Sequence, residues 1–256
     1  MLQPPKYKPT LAILTSDQDP ASRIYVRNKM NKCAEVGIAC LTASVPADDM
    51  DKAYGILSQW AKDESVDGII IQRPSAFEKL AYVIPASKDV DGFMIDAEFD
   101  PCTPRGVMHL LHSTNVDLAG KHAVVVGRSD TVGKPMAQML LEADCTVTTC
   151  HSQTEDLASH TRMADILVVA AGKPNLITAS MVKPGAIVVD VGINRIPDPE
   201  NPGKTKIVGD VDYALVKDVA GWITPIPGGV GPMTIAVLLD NVRRAHAMSK
   251  RSSLTD

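Results

Sequence analysis

Aromatic residues are scarce in this chain: three Phe, five Tyr and two Trp among 256 residues. That scarcity argues against base-stacking platforms for single-stranded nucleic acid. Positive charge is not in excess either. Lys and Arg total 26 against 30 Asp and Glu, for a net charge of −4. With no Lys/Arg run, the electrostatic footprint of a nucleic-acid partner is missing. No apolar run is long enough to span a membrane. The opening stretch, "MLQPPKYKPT", has neither the apolar centre of a signal peptide nor the Arg-rich character of a transit peptide, so the expected location is cytoplasmic. Cysteine is sparse. Cys33, Cys40, Cys102, Cys145 and Cys150 make an odd count with no C-x-x-C pair, which fits reduced thiols better than disulfides or zinc. His109 and His112 are spaced i,i+3, but no acidic or Cys partner stands in a ligand pattern, and a solvated helix face is the better reading of them. No metal is expected.

What is present is an alternation of apolar runs and amphipathic stretches. "TLAILT", "IACLTASV" and "DGIIIQ" read as strands, with helices between them. The first helix is predicted from Pro20 to about Val36, with Asp19 as N-cap, Pro20 at the first helical position and Gly37 as the stop. "FEKLAYVI" reads as a short helix. "CTPRGVMHLLHST" is another, with Thr103 capping and Pro104 at its first position. The second half contains "HAVVVG", "TVTTC", "DILVVAA" and "AIVVDVG", continuous β-branched runs that suit a parallel sheet covered on both faces. Helical stretches separate them, which is the rhythm of a doubly wound fold. "NRIPDPENPGKTK" reads as an exposed loop. The expected architecture is α/β, with an N-terminal α/β domain over residues 1–115 and a Rossmann-like domain over 116–230. The final helix, within 231–256, is expected to return to the first domain.

Two stretches carry chemistry. "VVVGRSDTVGKPMA" follows a strand and opens a helix. Gly127 and Gly133 let backbone approach a phosphate, and the helix N-terminus offers amide donors and positive potential. Arg128 holds the place of the middle glycine in G-x-G-x-x-G, so the motif alone is weak. The βαβ context and the "AAGKP" turn at Ala171 and Gly172 raise it to a dinucleotide site. The second strand ends in "HSQT", with no carboxylate to bind a ribose 2′-hydroxyl or repel a 2′-phosphate. Arg128 supplies a planar cation, so NADP is favoured over NAD, with Asp130 arguing the other way. The other stretch is "DPASRIYVRNK", which spaces Ser22, Tyr25 and Lys29 at i, i+3 and i+7 along one helix face. Such a trio is either a solvated face or a site where an amine relays protons. Tyr25 and Lys29 match the Y-x-x-x-K pair of short-chain dehydrogenases, but there the pair follows the nucleotide loop and here it precedes it. Gln72 ends a buried strand, where α/β sheets place ligands. Asp89 and Asp91 share a turn; either one accepts hydrogen bonds from a guanidine-like ring edge, or both simply hold the turn.

Taken together, "ASRIYVRNK", "DGIIIQRP", "KDVDGF", "PCTPRGV", "VVVGRSDTVGKPMA", "TVTTCHSQT" and "ITPIPGGVGPMT" resemble the bifunctional methylenetetrahydrofolate dehydrogenase/cyclohydrolase family, in order and over nearly the whole chain. The resemblance implies NADP-dependent oxidation of 5,10-methylenetetrahydrofolate to the 5,10-methenyl cation, then its hydrolysis to 10-formyltetrahydrofolate. It implies that Lys29 is the general acid/base or electrostatic activator, chiefly for hydrolysis, and that Gln72 holds and tunes it. Tyr25 would stack on the folate, with Ser22 beside it, and Asp91 would anchor the pterin. Pro227, Gly228 and Gly229 would border the folate. Gly127, Arg128, Ser129, Gly133, His151, Ser152, Ala171, Gly172 and Ile193 would line the NADP site. A homodimer is the family's usual assembly. The chain departs from the family in its first half. The segment before the first "LA" strand is shorter, the usual Q-L-P-L-P reads Gln72-Arg73-Pro74-Ser75-Ala76, and the stretch after "DGF" is cut to "MIDAEFD". The dehydrogenase step is therefore the firmer expectation. A dehydrogenase with weak cyclohydrolase activity and a non-catalytic folate- or nucleotide-binding protein are the alternatives.

Overall fold

A computed structural model describes residues 8–16, 20–94, 96–201 and 203–252, and for residues 20–22 and 251–252 the backbone only. The chain divides into two compact units, one running to Cys102 and resuming at Ile235, the other spanning Thr103–Thr234.

The first unit is built on β1 (Thr10–Ser16), α1 (Pro20–Glu35), β2 (Ala39–Val45), α2 (Met50–Lys62) and β3 (Gly68–Ile71). The three strands are parallel in the order β2-β1-β3. Successive side chains of β1 point to opposite faces. Leu11 and Ile13 enter one core with Val26 and Cys33 of α1; Ala12 and Leu14 enter another with Leu57 and Trp60 of α2. Because β2 and β3 lie on either side of β1, connections leave the C-terminal ends of the strands in opposite directions, and such a point is where open α/β sheets place ligands. Asp49 caps α2 by accepting from the Lys52 amide, and Gly37, at φ +77°, ends the α1 region as its sequence requires. "FEKLAYVI" forms a 3₁₀ turn over Ala76–Val83, opened by a reciprocal Ser75/Glu78 capping box. Asp19 lies outside the described residues, as does the side chain of Ser22.

The second unit contains α3 (Cys102–Ser113, whose first residue closes the first unit), β4 (His122–Val126), α4 (Gly133–Glu142), β5 (Thr146–Cys150), α5 (Leu157–Thr161), β6 (Ile166–Val169), β7 (Ile187–Asp190), β8 (Asn194–Pro197), β9 (Thr205–Val208), α6 (Tyr213–Val216) and β10 (Trp222–Ile223). Its five parallel strands run β10-β7-β6-β4-β5, so the winding reverses beside β4. Ala123 and Val125 face one core, Val124 and Val126 the other, as a sheet covered on both faces demands. Val107, Met108 and Leu111 of α3 belong to the first of these cores, and so the compact units separate at the start of α3, whereas the expected division lies near Asn115. The final helix, α7 (Val230–Ser252), begins in this unit, and its Val237, Leu238 and Val242 are buried in the core of the first.

Two local expectations fail. Thr103 does not cap α3, because the helix already starts at Cys102; its hydroxyl instead accepts from Thr234 at 3.2 Å. "NRIPDPENPGKTK" is not loop throughout. Its ends pair as the antiparallel hairpin β8–β9, with Asn194 opposite Val208 and Pro197 opposite Thr205. His109 and His112 are exposed on α3.

Candidate functional site

In the first unit the polar residues gather at the C-terminal ends of β1 and β3. α1 buries Val26 and Cys33, and Lys29 sits between them, half-buried, while Tyr25 stays 40% exposed a turn earlier. Gln72 ends β3 and is 8% exposed; its backbone amide donates to the Leu14 carbonyl. Its side-chain Nε2 donates to the Arg73 carbonyl at 2.8 Å. That bond fixes the amide so that Oε1 faces Lys29, whose Nζ donates to it at 3.0 Å.

The two aspartates of "KDVDGF" divide their work. The buried Asp89 carboxylate accepts from the amides of Gly92, Phe93 and Met94 at 2.8 to 3.1 Å and so holds the turn. Asp91 is left with its carboxyl for other partners. Burial pushes that carboxyl above its ordinary value; the Lys29 cation draws it back, Asp89 pushes it further, and Arg73 and a bond from Cys102 draw it down. Arg73 folds against its own neighbourhood: it pairs with Glu78 at 2.7 Å and stacks 4.3 Å from the centre of the Phe93 ring. Asp91, Phe93 and Met94 share with it the lining of a small pocket.

In the second unit the glycine turn leaves β4 at the point where the winding reverses. Gly127 has φ +132°, and a Cβ there would run into the Ala170 carbonyl oxygen. A Cβ on Gly133 would run into the Gly127 carbonyl oxygen. The Ser129 hydroxyl accepts from the Val132 and Gly133 amides at 3.2 and 3.3 Å, at the head of α4. Arg128 is exposed. Asp130 pairs with Lys134 of α4 at 2.6 Å, which offsets its charge locally. His151 follows β5, its Nδ1 accepting from the Gln153 amide, with Ser152 exposed beside it. The turn after β6 is held from below: the Ala171 and Gly172 amides both donate to Asp210, at 2.6 and 2.8 Å. Ile193 is 52% exposed in the loop after β7. The close backbone packing of the turn fits a dinucleotide, and no carboxylate stands where β5 ends to repel an extra phosphate.

The model of the tetrahydrofolate dehydrogenase/cyclohydrolase catalytic domain matches residues 2–91, and that of the same family's NAD(P)-binding domain matches residues 101–250. The chain belongs to the tetrahydrofolate dehydrogenase/cyclohydrolase family. The bifunctional protein FolD of Variovorax paradoxus is 48% identical over 252 residues, covering 93% of this chain and 87% of that one. The crystal structure of the bifunctional FolD enzyme from Campylobacter jejuni matches with a TM-score of 0.88 at 43% identity, over 96% of this chain and 89% of that one. The Trypanosoma brucei FolD enzyme, solved with NADP and an inhibitor, gives 0.89 at 34% identity, over 96% and 88%.

Lys29, Gln72 and Asp91, the residues expected on the folate side, come together in the first unit, with Tyr25 exposed one turn from Lys29. Pro227, Gly228 and Gly229 lie in the second unit, in the turn between β10 and α7, with Gly228 at φ +109°. Sequence reasoning missed four buried polar residues. Asn241 of α7 donates to the Val90 carbonyl at 3.0 Å and so supports the aspartate turn. Asp190, Asp210 and Thr224 form a network under the turn after β6, and burial pushes the Asp190 carboxyl up to about 6. The available signal was a carboxylate ending an otherwise apolar strand, "IVVD", since a buried charge must be compensated.

Arg73 provides a test of the local electrostatics. Arg73→Leu removes a cation that draws the Asp91 carboxyl down, so the carboxyl should rise and the acid limb of the kcat/KM profile should move to higher pH. Stability should change by only about 1 kcal/mol or less, because the Glu78 pair is a third exposed. An acid limb that stays in place would exclude this coupling.

Proposed function

We propose that this chain oxidises 5,10-methylenetetrahydrofolate to the 5,10-methenyl cation with NADP and hydrolyses that cation to 10-formyltetrahydrofolate. The observation that carries the reading is the 3.0 Å bond from Lys29 to a Gln72 amide that cannot turn away, in a chain whose glycine turn is intact. NADP, when bound, takes up the hydride that leaves the one-carbon bridge. Gly127 and Gly133 would let the backbone close on it, Ser129 would order the head of α4, and Arg128 would meet the 2′-phosphate. His151, Ser152, Ala171, Gly172 and Ile193 would complete its surroundings.

Lys29 acts on water. Two cations repel, so Lys29 meets the methenyl cation through an intervening water. The amine takes the proton of the attacking water as oxygen bonds to the one-carbon unit. It returns that proton to the nitrogen that leaves as the C–N bond opens, and the water's second proton goes to solvent. Gln72 sets the direction of the amine. Asp91 accepts hydrogen bonds from the pterin edge and Tyr25 stacks on the folate.

A homodimer and a cytoplasmic location belong to the same proposal, supported by family membership and by the five unpaired cysteines. Among the described residues no helix is long and apolar enough to cross a membrane. The test is reduction of NADP when methylenetetrahydrofolate is supplied. We expect turnover with NADP to exceed turnover with NAD; no reduction of either cofactor at saturating substrate would reject the reading.

A further inference from the structure

The most heavily hydrogen-bonded carboxylates in the second unit are Asp190 and Asp210, 2% and 0% exposed, and neither belongs to the residues expected to touch a ligand. Asp190 ends β7. Its Oδ1 accepts from the amides of Gly192 at 2.9 Å and Asp210 at 3.0 Å, and its Oδ2 from that of Val211 at 2.9 Å. Asp210 is thereby fixed at its own backbone. Its Oδ2 then receives the Ala171 and Gly172 amides, and its Oδ1 the Asn194 side-chain amide at 2.7 Å. The path goes one residue further, because the Ala170 carbonyl is the group against which Gly127 packs. No side chain fits between these parts: a Cβ on Gly209 would run into the Asp190 carboxylate, and one on Gly192 into that of Asp210.

Burying two carboxylates near each other is costly. A network confined to holding the sheet would not need to reach the loops after β4, β6 and β7 together. These are three of the four loops assigned to the cofactor; the fourth, after β5, is not reached. We infer that Asp210, braced by Asp190, is a positioning residue for NADP: one buried carboxylate sets the turn after β6, and through it the glycine turn, in the conformation that receives the dinucleotide. This inference rests on the proposed NADP-dependent function.

The experiment is a calorimetric titration of NADP into the free protein without folate, well below the unfolding midpoint, for wild type, Asp210→Ala and Asp210→Asn. Asp210→Ala leaves the part-buried Ala171 and Gly172 amides without their acceptor and frees the turn they hold, and it should raise the NADP Kd by about tenfold. Asp210→Asn keeps one acceptor oxygen for both amides, and Asn194 can turn its own amide to match, so most of the affinity should return. A folded Asp210→Ala protein with the wild-type Kd would overturn the inference. Should Asp210→Ala fail to fold, Asn194→Ala decides: it releases only the steering bond, and we expect the Kd to rise roughly threefold, an unchanged Kd counting against the inference. If wild type itself binds no NADP, the proposed function falls; if wild type binds and the variants bind equally, only the positioning role falls.

Discussion

Lys29→Met is expected to lower methenyltetrahydrofolate hydrolysis by about 10²- to 10⁴-fold, the usual worth of a positioned acid/base group, while a measurable part of the hydride transfer survives. Methionine keeps most of the volume of the lysine stem, so α1 and its buried neighbours Val26 and Cys33 should be little disturbed. What disappears is the amine that Gln72 holds at 3.0 Å. Hydrolysis needs a group that takes a proton from water. Hydride transfer needs the folate and the nicotinamide to be oriented, to which Lys29 adds only charge. The variant should therefore reduce NADP and let the methenyl product accumulate, which absorbance distinguishes directly. Equal loss of both steps would make Lys29 a binding group, and unchanged hydrolysis would remove it from the mechanism.

Gly127→Ala is the second large effect, and it acts through the backbone. At φ +132° a residue with a Cβ is strained by roughly 1–3 kcal/mol, before counting the collision with the Ala170 carbonyl. Neither problem can be relieved by rotating a side chain. The turn must move, and both the second unit and its nucleotide site should suffer. Each kcal/mol should lower the unfolding midpoint by about 2–4 °C for a chain of this size. NADP affinity should fall by at least about tenfold, the equivalent of 1.4 kcal/mol. Thermal unfolding together with NADP titration checks both. A variant with wild-type midpoint and Kd would mean that the glycine turn is not held as described.

The two sheets were legible in the sequence because their strands are short, apolar and evenly interrupted by helices. The edges of the site were legible for the same reason: Gln72 and Gly127 stand where apolar strands stop, and strand ends in parallel sheets face ligands. Local patterning could not tell Asp89 from Asp91. Both lie in one turn, and only the backbone path, which brings the Gly92, Phe93 and Met94 amides onto Asp89, assigns one to the turn and leaves the other. Arg73 stands where the family pattern has Leu; Glu78 and Phe93 hold its charge, by a contact five residues away and another across the aspartate turn, and neither contact shows in the local pattern. The β8–β9 hairpin was hidden because its Pro, Asn and Gly residues mark loops, while its four-residue strands are too short for a period to show. Asp190 and Asp210 are twenty residues apart, and their link depends on the return of the chain after β9, which no local signal encodes.

Hydrolysis by the first unit, despite the short stretch after "DGF", is the central expectation. It is tested most directly by the disappearance of added methenyltetrahydrofolate, followed with and without the wild-type protein and with no NADP present. The Lys29–Gln72–Asp91 arrangement predicts a rate far above that in buffer, proportional to protein concentration and lost in Lys29→Met. A rate equal to buffer, from protein that nonetheless reduces NADP with methylenetetrahydrofolate, would contradict it and leave a dehydrogenase alone.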